Sequence, residues 1–330
     1  MIDSRHLICA YRLDGEGRGA EIDGEAVNDW SPESGDLWVH LDGAEEHTRD
    51  WLGNIAGLDG YVIDGLIADT TRPRCDVYQN GVLLILRGVN LNPGADFEDM
   101  VSIRIWIEPH RIITTRFRRL LAVNDIRAQL ALGNGPVTTG HFVARLSAGL
   151  TERMGPAIDG LTDEVAELEG LLADSDDATS LNTQDIRQKL ANIRRVSIAL
   201  RRYIAPQREA MNRLSQLEES WLDSRVRGRL RDTVDRVTRI IEELDEVREL
   251  SAVIQDELRN RMSQRMERTM YVLTVVAAIM LPLGFLTGLL GVNVGGIPGA
   301  QTPWAFWAVC VGMGVLVAIE VWLFKRFKWL

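Results

Sequence analysis

The chain has 330 residues, 46% hydrophobic, 25% charged and only 6% aromatic, with a formal net charge of −10. That length supplies ample core for one large domain or two ordinary ones. The acidity argues against nucleic acid, whose phosphates require a basic face. The charge is unevenly spread: residues 269–324 contain one carboxylate, Glu320, and neither Lys nor Arg.

Taken in chain order, residues 1–140 alternate short apolar runs with Gly, Pro, Asn and Asp. Runs at 36–41, 75–78, 82–87, 101–107 and 111–115 predict strands, and 51–58 and 61–69 predict helices. Gln79-Asn80-Gly81 and Glu108-Pro109-His110 read as hairpin turns. This is an α/β domain with a largely antiparallel sheet. The segment lacks a basic leader followed by a sustained apolar core, which places it in the cytoplasm. Cys9, Cys75 and Cys310 form no CxxC pair, so neither a disulfide framework nor a structural zinc motif is expected.

Helix dominates from about residue 141, through an acidic stretch at 155–177, a polar loop at 175–180 and a basic-faced helix at 182–203. Pro206 interrupts that pattern, giving a helical region at 141–206. Apolar residues then recur at Leu230, Val234, Val237, Ile241, Leu244, Val247, Leu250, Ile254, Leu258, Met262 and Met266, the three-and-four spacing of a packed helix face. One helix is predicted from 207 to 292, with 207–269 as a stalk and an apolar seam that calls for self-association around an axis. The plainer reading of the stalk is a coiled-coil spacer.

Two runs, 270–292 and 304–324, are long enough to cross a bilayer, joined by an uncharged loop at 293–303. Arg259, Arg261, Arg265 and Arg268 precede the first run. Lys325, Arg326 and Lys328 follow the second, in a basic tail at 325–330. The positive-inside rule places both termini in the cytoplasm and the loop outside. Trp304, Trp307, Trp322 and Trp329 cluster near the two interfaces.

At the outer end of the first run stands Gly291-Val292-Asn293, followed by Gly295-Gly296-Ile297-Pro298-Gly299. With the stalk, the hairpin and the basic tail, this arrangement resembles the CorA superfamily of divalent-cation transporters. Val292, where that superfamily has Met, and the following Gly-rich stretch look like its ZntB zinc-transport branch. The resemblance implies an α+β cytoplasmic domain, a very long stalk helix and a two-helix transmembrane hairpin, assembled as a funnel-shaped homopentamer in the bacterial inner membrane. It also implies that the first membrane helix lines a central pore and that Asn293 contributes a ring of carboxamides at its outer mouth. Such a ring can hydrogen-bond the water shell of a hydrated cation.

Helical steps inward from the mouth select Gly288, Gly284, Leu281, Ala277, Thr274, Leu273 and Met270. Met270 and Leu273 match the family's apolar constriction, which gates by excluding water. Glu267, Ser263, Asn260 and Asp256 continue that face, and Glu267 and Asp256 would attract cations. Glu320 is a candidate for proton coupling, because an acid in a membrane helix is functional by default. Its plainer reading is an interfacial position or a helix-end pairing with Lys325 or Arg326.

The five histidines, His6, His40, His47, His110 and His141, are scattered through the soluble part, and no tight metal site is readable. Zinc as cargo therefore rests on the resemblance, and a magnesium or cobalt channel is the alternative within the class. No resident cofactor is expected. An enzyme is disfavoured by the absence of a phosphate-binding loop, a Gly-x-Ser-x-Gly elbow and HExxH. A membrane-tethered oligomeric scaffold or sensor is the alternative from another class.

Overall fold

The computed structural model describes residues 6–174, 183–292, 297, 299 and 302–326. Two compact units emerge, 1–255 and 256–330.

The first unit is built on a seven-stranded sheet: β1 (Leu7–Leu13), β2 (Gly19–Glu21), β3 (Leu37–Asp42), β4 (Arg74–Tyr78), β5 (Gly81–Gly88), β6 (Val101–Ile107) and β7 (Arg111–Arg116). Their order is β2-β1-β3-β7-β6-β5-β4. All neighbours run antiparallel except β3 and β7, which pair in parallel from Leu37↔Arg111 to Asp42↔Arg116. The sheet is thus mixed, and β1 and β2 add to the strands expected from sequence. β5 and β6 are buried along their whole length. Their mostly apolar sequences are those of central strands covered on both faces, with Arg87, Ser102 and Arg104 as buried polar exceptions.

The β4–β5 hairpin turns through Gln79-Asn80, with Tyr78 paired to Gly81. Gly81 is required there by close approach: a Cβ would lie 2.5 Å from the Ile107 carbonyl oxygen and 2.8 Å from the Trp106 ring. The β6–β7 turn is closed by the Glu108 N–H donating to the Arg111 carbonyl at 2.8 Å.

The helices of this unit are α1 (Gly24–Asn28), α2 (Glu46–Asn54), α3 (Gly60–Ile67), α4 (Leu121–Ala131), α5 (Thr139–Glu152), α6 (Gly155–Asp174) and α7 (Thr183–Ser215). Leu52, Val62, Ile63 and Leu66 from α2 and α3 join Leu37, Val39, Leu41, Leu83, Ile85 and Ile113 in one core. On the other face, Phe142 of α5 packs its ring 4.7 Å from that of Trp38. Asp159, Asp163, Glu167 and Glu169 of α6 are exposed, while Leu161, Val165, Leu168 and Leu172 are buried. The polar loop expected at 175–180 lies outside the described residues.

α8 (Ser224–Leu290) is a single helix of 67 residues, and α9 (Ala305–Arg326) follows it. Two expectations are corrected here. Pro206 sits inside α7, which continues to Ser215, and the long helix begins at Ser224 rather than at 207. The break at 216–223 contains neither Gly nor Pro. It is held by buried Trp221 and Leu222 and is ended by Asp223, whose carboxylate accepts from the Val226 N–H at 2.7 Å. That bond holds the Asp223 carboxyl below its ordinary range, as expected of an N-cap acid.

The second correction concerns the seam. Leu230, Val237, Ile241, Leu244, Val247 and Ile254 are buried within the single chain. Ion pairs Arg236–Glu152 (3.0 Å) and Arg201–Asp245 (2.8 Å) tie this half of α8 to α5 and α7. The chain's own helices therefore cover the stripe as far as Ile254, so that part of it needs no second copy. Farther along, the stripe itself emerges, with Met262 41% and Met266 68% exposed.

Candidate ion pathway

α8 continues through Pro282 and closes at Gly291, whose N–H donates to the carbonyls of Thr287 (2.9 Å) and Gly288 (3.2 Å). Both α8 and α9 contain stretches long and apolar enough to cross a membrane, and neither stretch is buried within the chain. Residues Val275, Ala278, Ile279, Pro282, Leu283 and Leu286 are half-covered. Met270, Leu273, Thr274, Ala277, Leu281, Gly284 and Gly288 are all exposed. At about 100° per residue the two sets centre roughly 150° apart around the helix. The seven residues selected by spacing thus occupy the side turned away from the half-covered one.

Along the exposed side, a Cβ added at Gly284 or Gly288 would meet nothing within 4 Å. The Thr274 hydroxyl donates to the Met270 carbonyl at 2.7 Å and Thr287 to the Leu283 carbonyl at 2.9 Å. These hydroxyl protons are spent on the helix itself, leaving oxygen lone pairs for water or an ion. Farther in, Ser263, Asn260 and Glu267 are exposed. Asp256 is exposed and pairs with Arg259 at 3.1 Å, so its charge is partly answered within the helix.

Gly291 and Val292 are described and exposed. Asn293, with most of the Gly-rich stretch after it, lies outside the described residues. The loop resumes at Gly299 (φ +85°), whose carbonyl accepts from the Thr302 N–H at 2.9 Å just before α9. Trp304, Trp307 and Trp322 are exposed, and Trp329 falls outside the described residues.

Glu320 is half-buried, and its Oε2 is shielded from solvent without a hydrogen-bond partner among the described residues. Among the described residues Glu320 makes no ion pair with Lys325 or Arg326, one of the two plainer readings. Arg326 instead lies 5.3 Å from the centre of the Trp322 ring. Among the described residues, no three His, Cys, Asp or Glu side chains converge into a metal-holding group. The histidines are dispersed in the first unit: His40 bonds to Thr114, and His110 to Asp36, each at 2.8 Å.

A mixed-sheet domain whose last helix runs unbroken into a membrane-length apolar stretch, followed by one more apolar helix, defines the class. The model of the family described as CorA-like Mg2+ transporter protein matches residues 33–326, and the chain belongs to that family, which is one of transporters. Among its relatives is the divalent cation transporter CmaX of Pseudomonas aeruginosa, 40% identical, covering 99% of this chain and 98% of the relative. The solved full-length CmaX structure superposes with a TM-score of 0.85 over 99% of both chains at 39% identity. The zinc transport protein ZntB of Pectobacterium atrosepticum is 35% identical, covering 97% of this chain and 95% of its own. The complete CorA magnesium transporter of Methanocaldococcus jannaschii, at 19% identity, shares the fold with a TM-score of 0.79 over the whole of both chains.

Proposed function

We propose that this protein moves divalent cations across the bacterial inner membrane, with zinc as its cargo, through a pore on the axis of a homopentamer. The observation that carries the reading is the exposed side of α8 from Met270 to Gly288, a continuous membrane-length face with no carboxylate, lying opposite the half-covered side. In the assembly that face lines the pore, and α9 forms the outer ring. Whole-length similarity to a divalent cation transporter and to a zinc transport protein supports the cargo class.

Hydrated divalent ions give up water reluctantly. A ring of Asn293 carboxamides at the mouth binds the ion through its water shell, and the short apolar neck at Met270 and Leu273 closes by dewetting. Glu267 and Asp256 raise the local cation concentration on the cytoplasmic side, where both termini lie. Glu320, as a half-buried membrane acid with an unpartnered oxygen, is the candidate for coupling to protons.

A second reading, a magnesium or cobalt channel, is favoured by the lack of any His- or Cys-rich cluster among the described residues. Without soft ligands, selection falls on the hydrated ion. Zinc flux into sealed proteoliposomes, measured with a pH gradient of either sign and magnesium as competitor, separates the readings. Zinc flux that responds to the gradient, resists magnesium and falls at least tenfold in Asn293→Ala is the expected result. Equal or faster magnesium flux moves the protein to the second reading. No flux of either ion from the assembled oligomer refutes transport and leaves a tethered scaffold.

A further inference from the structure

The sheet domain buries two arginines whose hydrogen bonds, among the described residues, go to backbone carbonyls and not to a carboxylate. In the β5–β6 ladder Ile85 faces Arg104 and Arg87 faces Ser102, so the two arginines sit diagonally on one side of the sheet. Arg104 is 1% and Arg87 9% exposed. Arg87 donates from Nη1 to the Met100 carbonyl and from Nη2 to the Thr71 carbonyl, each at 2.7 Å, and its guanidinium lies 4.0 Å from the centre of the Tyr203 ring. Arg104 donates to the carbonyls of Ala68 and Asp69 just beyond α3, with its guanidinium 4.4 Å from the Phe117 ring centre.

Carbonyls and ring faces orient a guanidinium but leave its unit charge in place. Each group carries five N–H donors, and the Nε of both is buried and unpartnered among the described residues. Burial, followed by the charge of Arg87, pulls the Arg104 pKa down to about 10, against the smaller opposing pull of the Asp69 carboxylate. Two like charges held together inside a protein are costly unless something answers them.

A cavity of about 460 Å³ opens on this pair, lined also by exposed Arg118, by Ser102 and by Tyr203 of α7. Of the acids around it, Glu98 is bonded to Arg195 at 2.8 Å, while Asp69 and Asp99 are exposed. The two buried guanidiniums thus face the cavity with its one buried acid, Glu98, already paired and its other two acids in water. Its volume falls within the usual range for small-molecule pockets, roughly 300–1,000 Å³.

We propose that this cavity is a binding site for a soluble phosphate-bearing anion, with Arg87, Arg104 and Arg118 supplying the charge and donors. The guanidinium fork suits phosphate oxygens better than any other side chain does. An occupant held there would touch both β-strands and Tyr203, bracing α7 against the sheet. The site is separate from the ion pathway and does not depend on which cation is carried.

The test uses the full-length protein in detergent, titrated with pyrophosphate at constant ionic strength, with chloride in a parallel titration. Calorimetry and thermal unfolding are the readouts. Saturable pyrophosphate binding that raises the unfolding midpoint is expected, with Arg118→Ala weakening the Kd about tenfold, the loss of one charged contact. Arg118 is exposed, so its removal leaves the fold intact. Arg87→Met, checked for folding by circular dichroism, weakens binding further. Absence of saturable binding, chloride binding as tight as pyrophosphate, or an unchanged Kd in Arg118→Ala overturns the proposal.

Discussion

His40 on β3 shows how a single polar residue is held in the core. It is fully buried, its Nδ1 lies 2.8 Å from Thr114 Oγ1, and Trp38 Nε1 donates to the same hydroxyl at 2.9 Å. Burial, with Arg116 and Arg127 adding repulsion, lowers its pKa to about 3. The unfolded chain takes up this proton near pH 6.5 and the folded chain only near 3, so stability falls as pH drops through that window. A loss of about 2 kcal/mol is expected between pH 7 and 5 from this residue. Urea unfolding at the two pH values checks it, and His40→Gln should flatten that part of the profile.

Gly140 on α5 is constrained by space instead, since a Cβ there would lie 2.2 Å from the Trp221 carbonyl oxygen. Gly140→Ala should destabilise by about 2 kcal/mol, read as a lower unfolding midpoint, because a backbone carbonyl has little room to retreat.

At the scale of elements, α8 combines two roles on one helix. Its first half is a buried member of the domain, and its last third presents large apolar side chains outward. The periodicity of the seam was legible in the sequence, but periodicity does not say what covers a stripe. The break before α8 carries neither Gly nor Pro; the start of the helix is signalled by a capping acid, Asp223, after the buried pair Trp221-Leu222. Met270 and Leu273, 59% and 60% exposed, carry the proposed neck. The double substitution Met270→Ala, Leu273→Ala should raise resting cation leak in proteoliposomes roughly tenfold, equivalent to about 1.4 kcal/mol off the barrier. Unchanged leak would remove these residues from the gate.

For the whole molecule, the apolar segments and the family signature were readable because both are written in contiguous residues. A run of membrane-length hydrophobicity needs no partner to be recognised. The strands β4–β7 were equally plain, since each is a short run rich in β-branched and other apolar residues, paired across the turns Gln79-Asn80-Gly81 and Glu108-Pro109-His110. By contrast, β1 and β2 were not recognised, and the parallel β3–β7 pairing joins segments some 70 residues apart in the chain, with no local mark in either strand.

The sequence by itself determined that a charged α+β domain is joined by a long helix to two apolar segments, and that these lack clustered soft metal ligands. Composition and local period suffice for such statements, because burial in lipid and helix amphipathicity act on consecutive residues. Tertiary structure decided that the chain covers its helical seam between Leu230 and Ile254 and that Arg87 and Arg104 meet above one cavity. Those facts depend on which surfaces are brought together, and Arg87 and Arg104 are set side by side only by the register of β5 on β6.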